Sequence, residues 1–275
     1  MLFRQNRLVI LLLLGSLCLA ACGGSSTTIS KNTHPAVSPN PSEVTILKAQ
    51  DLFSPFILTV QPGTTVTWQN SDSASHSITT TWDSSVFLNP QPFSLTMPAN
   101  ATASFTFTKP GVYDYFDNAL ARWDTTDHRV SANQGVPNYP LAMEGVIWVQ
   151  GHISGLPSSV SNEIPDGKDQ FTHAFLAIAQ GGNISWHNAD TDTHLISTVP
   201  GLGESVNKTG LEQLAIKGIA DQPSGETKAM TFTQPGLYYY YCAAHASINI
   251  TWHRAQAHTD ASESPIPMDG FVLVE

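Results

Sequence analysis

Apolar and polar residues alternate in short runs along most of this chain, as they do in β-strands whose two faces meet different surroundings. The runs at residues 64–68 and 102–107 are examples, and they are rich in Val, Thr, Phe and Trp. Pro-Gly, Asn-x-Asp and Gly-Gly turns separate such runs. No stretch keeps a helical period for long, and Gly210 to Ile219 is the best candidate for a short helix. The pattern therefore predicts an all-β fold.

The pattern occurs twice, which predicts two tandem domains. The two copies share one motif at identical spacing: Trp68-x-Asn70-x-Asp72-x3-His76 and Trp186-x-Asn188-x-Asp190-x3-His194. From a shared Phe-Thr-x-Pro-Gly segment onward, the copies align without a gap, at an offset of 125, to their ends at Val149 and Val274. Each copy is predicted to be a β-sandwich or barrel of roughly seven or eight strands. The boundary is expected near Gly151 to Ile164.

The N-terminus is typical of an export signal with a lipid-attachment site. Basic residues and a short apolar run precede Leu19-Ala20-Ala21-Cys22, so residues 1–21 are interpreted as a lipoprotein signal peptide and Cys22 as the lipidation site. An ordinary cleaved signal peptide is the alternative. Residues 22–42 form a predicted flexible tether because they are rich in Gly, Ser, Thr, Asn and Pro. The remaining chain divides into predicted domains at 43–150 and 151–275.

The charge balance limits the choice of partners. The chain has 12 basic and 22 acidic residues, a net charge of −10, and loss of the signal peptide brings it to about −12. An acidic surface disfavours nucleic acid and anionic lipid head groups as ligands, and it suits a cationic protein partner. Because signal cleavage removes Cys18 and lipidation uses Cys22, Cys242 is the one usable thiol.

A lone thiol in an exported protein can oxidise or cross-link unless something holds it. Cys242 follows Tyr238–Tyr241 at the end of an aromatic strand, and His245 follows it in a Cys-x2-His pattern. His194 lies upstream and Met268 downstream. Two imidazoles, a thiolate and a thioether are the ligand set of a type 1 (blue) copper site.

These motifs resemble the cupredoxin family in both copies. The shared elements are an early Phe, Gly-x-x-Val/Ile-x-Trp-x-Asn-x-Asp-x3-His, Phe-x-x-Pro-Gly-x-Tyr-x-Tyr-x-Cys-x2-His and Met-x-Gly-x-Val, with the Cys, the last His and the last Val in the second copy only. The resemblance implies two Greek-key β-sandwiches and one type 1 copper ion in the second. It also implies an electron-carrying role and a ligand set of His194, Cys242, His245 and Met268.

The connection from His245 to Met268 departs from the family because 22 residues separate them. His253 and His258 lie within it and are rival ligands. In the first copy, Asp117 and Leu120 replace Cys242 and His245, whereas His128 and Met143 still stand opposite His253 and Met268. The joint loss of thiol and imidazole favours His245 as a ligand and His253 as a structural residue. Met268 remains either the axial ligand or a packing residue.

The first copy is predicted to lack type 1 copper. His76, Asp117 and Met143 either form a harder metal site or, as the preferred interpretation, are a surface or loop histidine, a solvated aspartate and a packing methionine. In the second copy, two of the four tyrosines at 238–241 are expected in the core and two more exposed. The His-Arg pairs at 128–129 and 253–254 are expected to secure the long loop or the contact between copies.

We predict an electron-transfer protein that exchanges single electrons with a redox partner protein. Cys22 would anchor it through lipid chains to the outer face of the bacterial cell membrane. The alternatives are copper storage or delivery, or a subunit of a copper oxidoreductase such as a nitrite reductase or multicopper oxidase. Catalysis by this chain is not expected, because the sequence has no His-x-His pair and Cys242 is flanked by Tyr241 and Ala243.

Overall fold

Short strands account for the regular structure of the computed structural model, which describes residues 42–198, 219–249 and 251–275. The prediction of an all-β fold is confirmed, since no helix occurs in these residues. No helix among them could cross a membrane. The expected signal peptide, Cys22 and nearly all of the tether lie outside the described residues, as does the expected helix at Gly210 to Ile219 except for Ile219, which begins a strand.

The first half of the chain forms a sandwich of two sheets and a separate hairpin. The sheets have the strand orders β2-β1-β4-β7 and β3-β11-β8-β5-β6, and β9 pairs with β10. The hairpin lies in the connection after Asp117, so the half has more strands than the repeat pattern predicted. The strands are β1 Glu43–Ile46, β2 Phe53–Ser54, β3 Ile57–Val60, β4 Thr64–Asn70, β5 His76–Thr80, β6 Ser94–Met97, β7 Thr102–Phe107, β8 Gly111–Asp117, β9 Ala121–Asp124, β10 Arg129–Ala132 and β11 Glu144–Val149.

The second half repeats this arrangement after a connection at residues 150–158. Its sheets have the orders β12-β14-β17 and β13-β21-β18-β15-β16, and β19 pairs with β20. The strands are β12 Ser159–Ile164, β13 Phe175–Ile178, β14 Asn183–Asn188, β15 His194–Thr198, β16 Ile219–Gln222, β17 Thr227–Thr231, β18 Gly236–Cys242, β19 Ala246–Asn249, β20 Arg254–Ala257 and β21 Asp269–Val274.

Each sandwich encloses its own core, centred on a tryptophan. Trp68 and Trp186 are 0% and 1% exposed, and each packs edge-on against a tyrosine of the opposite sheet. Tyr115 and Tyr240 are those partners. The tryptophan of the repeated Trp-x-Asn-x-Asp motif therefore lies at the centre of each core. A rigid double-layered frame of this kind holds loops at its ends with little freedom.

A third apolar cluster joins the two halves. It combines side chains of the first half, such as Val146 and Trp148, with side chains of the second, such as Tyr239 and Phe271. The four-tyrosine strand β18 serves both clusters: Tyr238 and Tyr240 face the core of the second half, and Tyr239 faces the contact between halves. Three of the four tyrosines are consequently buried, and the expectation of two exposed members was wrong.

Two buried arginines cross the contact between halves in a reciprocal way. The Arg129 guanidinium donates to the Asp269 backbone oxygen at 2.6 Å, and Arg254 donates to the Ala142 backbone oxygen at 2.8 Å. Arg254 also pairs with Glu144 at 2.7 Å, as Arg129 does with Asp269 at 3.3 Å. The arginines of the two His-Arg pairs therefore hold the copies together.

Candidate metal centre

The candidate ligands meet at one end of the five-stranded sheet of the second half. His194 begins β15, Cys242 ends the neighbouring β18, and Met268 comes directly before β21 on the other side of β18. The Cys242 amide donates to the Met268 backbone oxygen at 2.9 Å. His245 follows Cys242 by three residues, in the turn that leads to β19. Sheet pairing thus fixes three of the four positions through backbone hydrogen bonds.

Both imidazoles direct the same ring nitrogen at the thiol. The Cys242 sulfur lies 3.6 Å from His194 Nδ1 and 3.5 Å from His245 Nδ1. The two ring centroids are 4.7 Å apart. A metal with bond lengths of about 2.0 Å to nitrogen and about 2.3 Å to sulfur places these atoms about 3.5–3.7 Å apart at tetrahedral to trigonal angles. The three side chains therefore fit a single metal ion.

Burial sets the character of this site. Cys242, His194 and Met268 are fully buried, and only His245 reaches the surface, with 15% of its side chain exposed. Met268 packs in the same apolar cluster as Cys242. A soft thiolate and two imidazoles in an apolar surrounding suit copper better than magnesium or calcium, which prefer oxygen ligands.

A buried asparagine shapes the loop that presents His194. Asn188 donates to the backbone oxygens of Asp192 and Gln222 at 2.7 and 2.8 Å, and its own oxygen accepts the Asp190 amide at 2.9 Å. Asn70 closes the equivalent loop in the first half with the same pattern. The repeated Asn-x-Asp motif is therefore a loop clamp that leaves the His at the start of the next strand.

Carboxylates stand behind both imidazoles. Asp190 Oδ2 lies 3.2 Å from His194 Nε2, and Asp169 Oδ1 lies 3.2 Å from His245 Nε2. A carboxylate on Nε2 holds the proton there and leaves the Nδ1 lone pair free for a metal. The sequence reasoning missed Asp169. The signal that could have found it is an Asp-x-Phe pair that recurs as Asp51-Leu-Phe53 and Asp169-Gln-Phe171.

Burial shifts the protonation of both the His194 imidazole and the Cys242 thiol. Burial, and then the proximity of His245, lower the pKa of His194 below its ordinary value. Burial raises the pKa of the Cys242 thiol, against hydrogen bonds from backbone amides including that of Leu195. The Leu195 amide lies 3.3 Å from the sulfur. A bound cation reverses the effect of burial because it favours the thiolate directly.

The rival histidines lie elsewhere. His253 is exposed in the turn between β19 and β20, at a φ of 51°, and His128 occupies the equivalent turn at the same φ. His258 is half-buried, with its ring Nδ1 at 3.0 Å from the Ala244 oxygen and its amide donating to His245. Neither joins a cluster of metal-ligating side chains within the described ranges.

The equivalent site of the first half is also buried, contrary to expectation. His76 and Asp117 are 2% and 0% exposed, and His76 begins β5, so the interpretation as a surface or loop histidine and a solvated aspartate was wrong. Asp117 Oδ2 lies 3.1 Å from His76 Nδ1 and accepts the Ser77 amide at 3.0 Å, as the Cys242 sulfur faces His194 and Leu195. Met143 is buried in the core as a packing residue. The pocket persists because the same loop clamp and strands build it.

His76 faces carboxylates on both sides. Its Nδ1 meets Asp117, and its Nε2 lies 3.5 Å from Asp72. An ionised carboxylate can only accept a hydrogen bond, and a neutral imidazole has only one N–H to donate. Burial alone lowers the pKa of His76, but the hydrogen bond and charge of Asp117, followed by Asp72, raise it above its ordinary value overall. The two carboxylates therefore favour the protonated form of His76.

The fold and the Cys-His-His cluster define a β-sandwich metalloprotein. Residues 158–251 match the model of the plastocyanin/azurin family of copper-binding proteins. The matched segment is about a third of the chain and contains the candidate ligands His194, Cys242 and His245, so this part of the chain is similar to the copper-binding domains of that family. A cupredoxin-like copper-binding domain implies a function of the copper electron-transfer type.

Solved structures of cupredoxins are similar to part of this chain at low identity. A purple cupredoxin from Nitrosopumilus maritimus is 20% identical, covering 42% of this chain and 99% of its own, with a TM-score of 0.28. Reduced auracyanin from Roseiflexus castenholzii is 17% identical over 44% of this chain and 99% of its own, with a TM-score of 0.29. An amicyanin variant is 23% identical over 44% of this chain and 87% of its own, with a TM-score of 0.28. No curated protein matches the chain.

Proposed function

We propose that this protein is an electron carrier with one type 1 copper ion in its second half, held by His194, Cys242, His245 and Met268. The observation that carries the proposal is the convergence of two Nδ1 atoms at 3.5–3.6 Å from one buried sulfur. Bound copper supplies one-electron chemistry by alternating between Cu(I) and Cu(II). A site fixed by sheet pairing suits both states because its ligands do not rearrange.

Each ligand has a distinct task in this proposal. Cys242 supplies the thiolate, and its Leu195 amide contact compensates part of the sulfur charge. His194 and Asp190 form a buried and fully oriented pair. Met268 would supply a weak thioether ligand, since its side chain is buried in the cluster that contains Cys242. The apolar surroundings exclude water, which keeps the thiolate from oxidation.

Electrons would enter and leave through His245, the ligand that reaches the surface. Its neighbours are acidic: ligand atoms of Asp169, Asp192 and His245 all lie within 4.8 Å of one another. This local charge, together with the net charge of −10, favours a cationic redox protein as the partner. We propose a carrier rather than an enzyme, because the sequence lacks the His-x-His pairs of catalytic copper clusters.

The same proposal includes an extracytoplasmic location. Residues 1–21 would direct export, and lipid chains on Cys22 would tether the protein to the outer face of the cell membrane. Replacement of Cys22 by Ser is expected to release the protein from the membrane fraction. Recovery of the variant in the membrane fraction would contradict lipid anchoring.

Copper loading tests the metal site. The loaded protein is expected to show the intense visible absorption of a thiolate-copper bond and the narrow hyperfine splitting of type 1 copper in electron paramagnetic resonance. Cys242→Ser is expected to lose both. A colourless wild-type protein after loading would contradict the assignment.

Stopped-flow mixing tests the carrier role. Reduced protein is expected to pass its electron to a small cationic redox protein, at a rate that falls as salt is added. An acidic redox protein of similar potential serves as the control and should react more slowly at low salt. Stable colour without electron exchange would instead favour copper storage.

A further inference from the structure

Asp169 occupies a position that the copper ligands alone do not explain. It comes from the loop before Phe171, 76 residues upstream of His245, and it is 7% exposed. One carboxylate oxygen lies 3.2 Å from His245 Nε2. The other accepts the Ser262 amide at 2.6 Å, and the Asp169 amide donates to Ser262 Oγ at 2.9 Å. Both oxygens therefore have separate partners.

Ser262 lies in the long connection between His245 and Met268. Its reciprocal bonds with Asp169 tie this connection to the loop before Phe171. The carboxylate is consequently held in one orientation, with Oδ2 on the Ser262 amide and Oδ1 toward the His245 imidazole. Because Ser262 holds the Asp169 carboxylate in place, the carboxylate can in turn orient the His245 imidazole.

Asp169 also stands close to the second imidazole. Ligand atoms of Asp169, Asp190 and His194 lie within 4.8 Å of one another. Asp190 serves His194 directly, so each imidazole has its own carboxylate, and Asp169 adds negative charge to both. Carboxylates paired with metal-bound histidines fix the tautomer and raise the basicity of the ligand.

We propose that Asp169 is a positioning residue of the copper site, which holds His245 as the Nε2–H tautomer with Nδ1 toward Cys242 and lowers the reduction potential. The inference rests on the proposed function. An imidazole that is more basic and lies next to a carboxylate stabilises Cu(II) more than Cu(I), because the electrostatic attraction is larger for the ion of higher charge. The 22-residue connection between His245 and Met268 then contributes to the copper site, because its Ser262 holds Asp169 in place.

The first half supplies the matched control. Asp51 occupies the equivalent position near Asp72 and His76, but Leu120 stands where the second half has His245. Asp51 therefore has no copper ligand to orient. A structural effect of losing the carboxylate should appear at both positions, whereas an effect on copper should appear at Asp169 alone.

The test compares Asp169→Asn, Asp169→Glu, Asp51→Asn and Ser262→Ala in the full chain. Asp169→Asn is expected to weaken Cu(II) binding by about 10–100-fold, measured by competition with a chelator. A tenfold larger loss for Cu(II) than for Cu(I) raises the midpoint potential by about 59 mV in voltammetry. Asp169→Glu should restore part of the potential, Ser262→Ala should shift it less, and Asp51→Asn should leave it unchanged.

Nitrogen NMR of the copper-free protein supplies a second readout. The His245 ring is expected to be the Nε2–H tautomer in the wild type and a tautomer mixture in Asp169→Asn. An unchanged potential and tautomer in Asp169→Asn would overturn the inference while leaving the carrier proposal intact. An equal effect of Asp51→Asn would also overturn it. Failure of the wild type to become coloured with copper would instead contradict the proposed function.

Discussion

The two halves of this protein build the same pocket and fill it differently. Each places a histidine at the start of one strand, an aspartate four residues before it, and a buried side chain at the end of the neighbouring strand. In the second half that side chain is the Cys242 thiol, and in the first half it is the Asp117 carboxylate. The side chain at this position decides whether the histidine faces a soft metal ligand or a second carboxylate.

The physical reason lies in the second nitrogen of each ring. His194 directs Nε2 at Asp190 and keeps Nδ1 free beside a sulfur that can bind the same ion. His76 has an oxygen acceptor on each side and no soft ligand. A proton on the second ring nitrogen is disfavoured at His194, where that nitrogen faces a sulfur, and favoured at His76, where it faces a carboxylate. The first pocket therefore needs no metal to balance its carboxylates.

The largest expected effect comes from exchanging the residues that distinguish the halves. The double variant Asp117→Cys with Leu120→His gives the first half a thiol and a second imidazole beside His76 and Met143. We expect bound copper per chain to double, measured by metal analysis, with a second type 1 signal. Asp117→Cys alone is the control and should bind copper more weakly. No additional copper in the double variant would show that the first pocket differs in more than its ligands.

The next largest effect is expected from a substitution that removes one charge from the buried pair of His76 and Asp117 in the first half. Asp117→Asn leaves His76 without its closest carboxylate and removes an oxygen that accepts backbone amides. Loss of one partner of a buried pair typically costs about 3–5 kcal/mol, and we expect a decrease in unfolding free energy of that order. Urea unfolding followed by tryptophan fluorescence measures it. Cys242→Ser in copper-free protein should cost clearly less, and equal costs would contradict the ion-pair interpretation.

A smaller effect is that folding stability is expected to depend on pH in opposite ways in the two halves. Since the folded pKa of His76 is raised above 6.5, its contribution to stability is complete below pH 6.5 and is lost as the pH rises through the folded value. The folded pKa of His194 is lowered, so copper-free protein loses stability from this group as the pH falls from 6.5 through the folded value. The two histidines therefore predict slopes of opposite sign.

Unfolding of copper-free wild type, His76→Gln and His194→Gln between about pH 5 and 9 checks these signs. The stability difference between wild type and His76→Gln should shrink as the pH rises. The difference for His194→Gln should move in the opposite direction. Parallel slopes for both variants would show that the two rings share one protonation state.

The smallest expected effect concerns the two exposed turn histidines. His253→Asn and His128→Asn keep a residue type that tolerates a positive φ, and surface changes of this kind usually stay within about 0.5 kcal/mol. The copper spectrum of His253→Asn should match that of the wild type, whereas His245→Ala should alter it. A changed spectrum in His253→Asn would make His253 the ligand in place of His245.

The sequence predicted what depends on local pattern. Strand alternation indicated the all-β fold, and the repeat identified the pair formed by Cys242 and His245. It could not predict that Asp117 is buried, because an aspartate pattern does not show which amides and which imidazole will satisfy it. Asp169 escaped for a related reason: its partners His245 and Ser262 are 76 and 93 residues away in the chain. Long-range polar contacts of this kind leave no periodicity.

The reciprocal arginines have a consequence for how such a chain can be assembled. Arg129 reaches Asp269 and Arg254 reaches Glu144, so equivalent residues contact equivalent partners across the junction, as in an isologous dimer with two-fold symmetry. Joining both subunits in one polypeptide makes their association independent of protein concentration. The sequences of the two halves can then diverge, and one half can lose its cofactor site while the contact between the halves is kept.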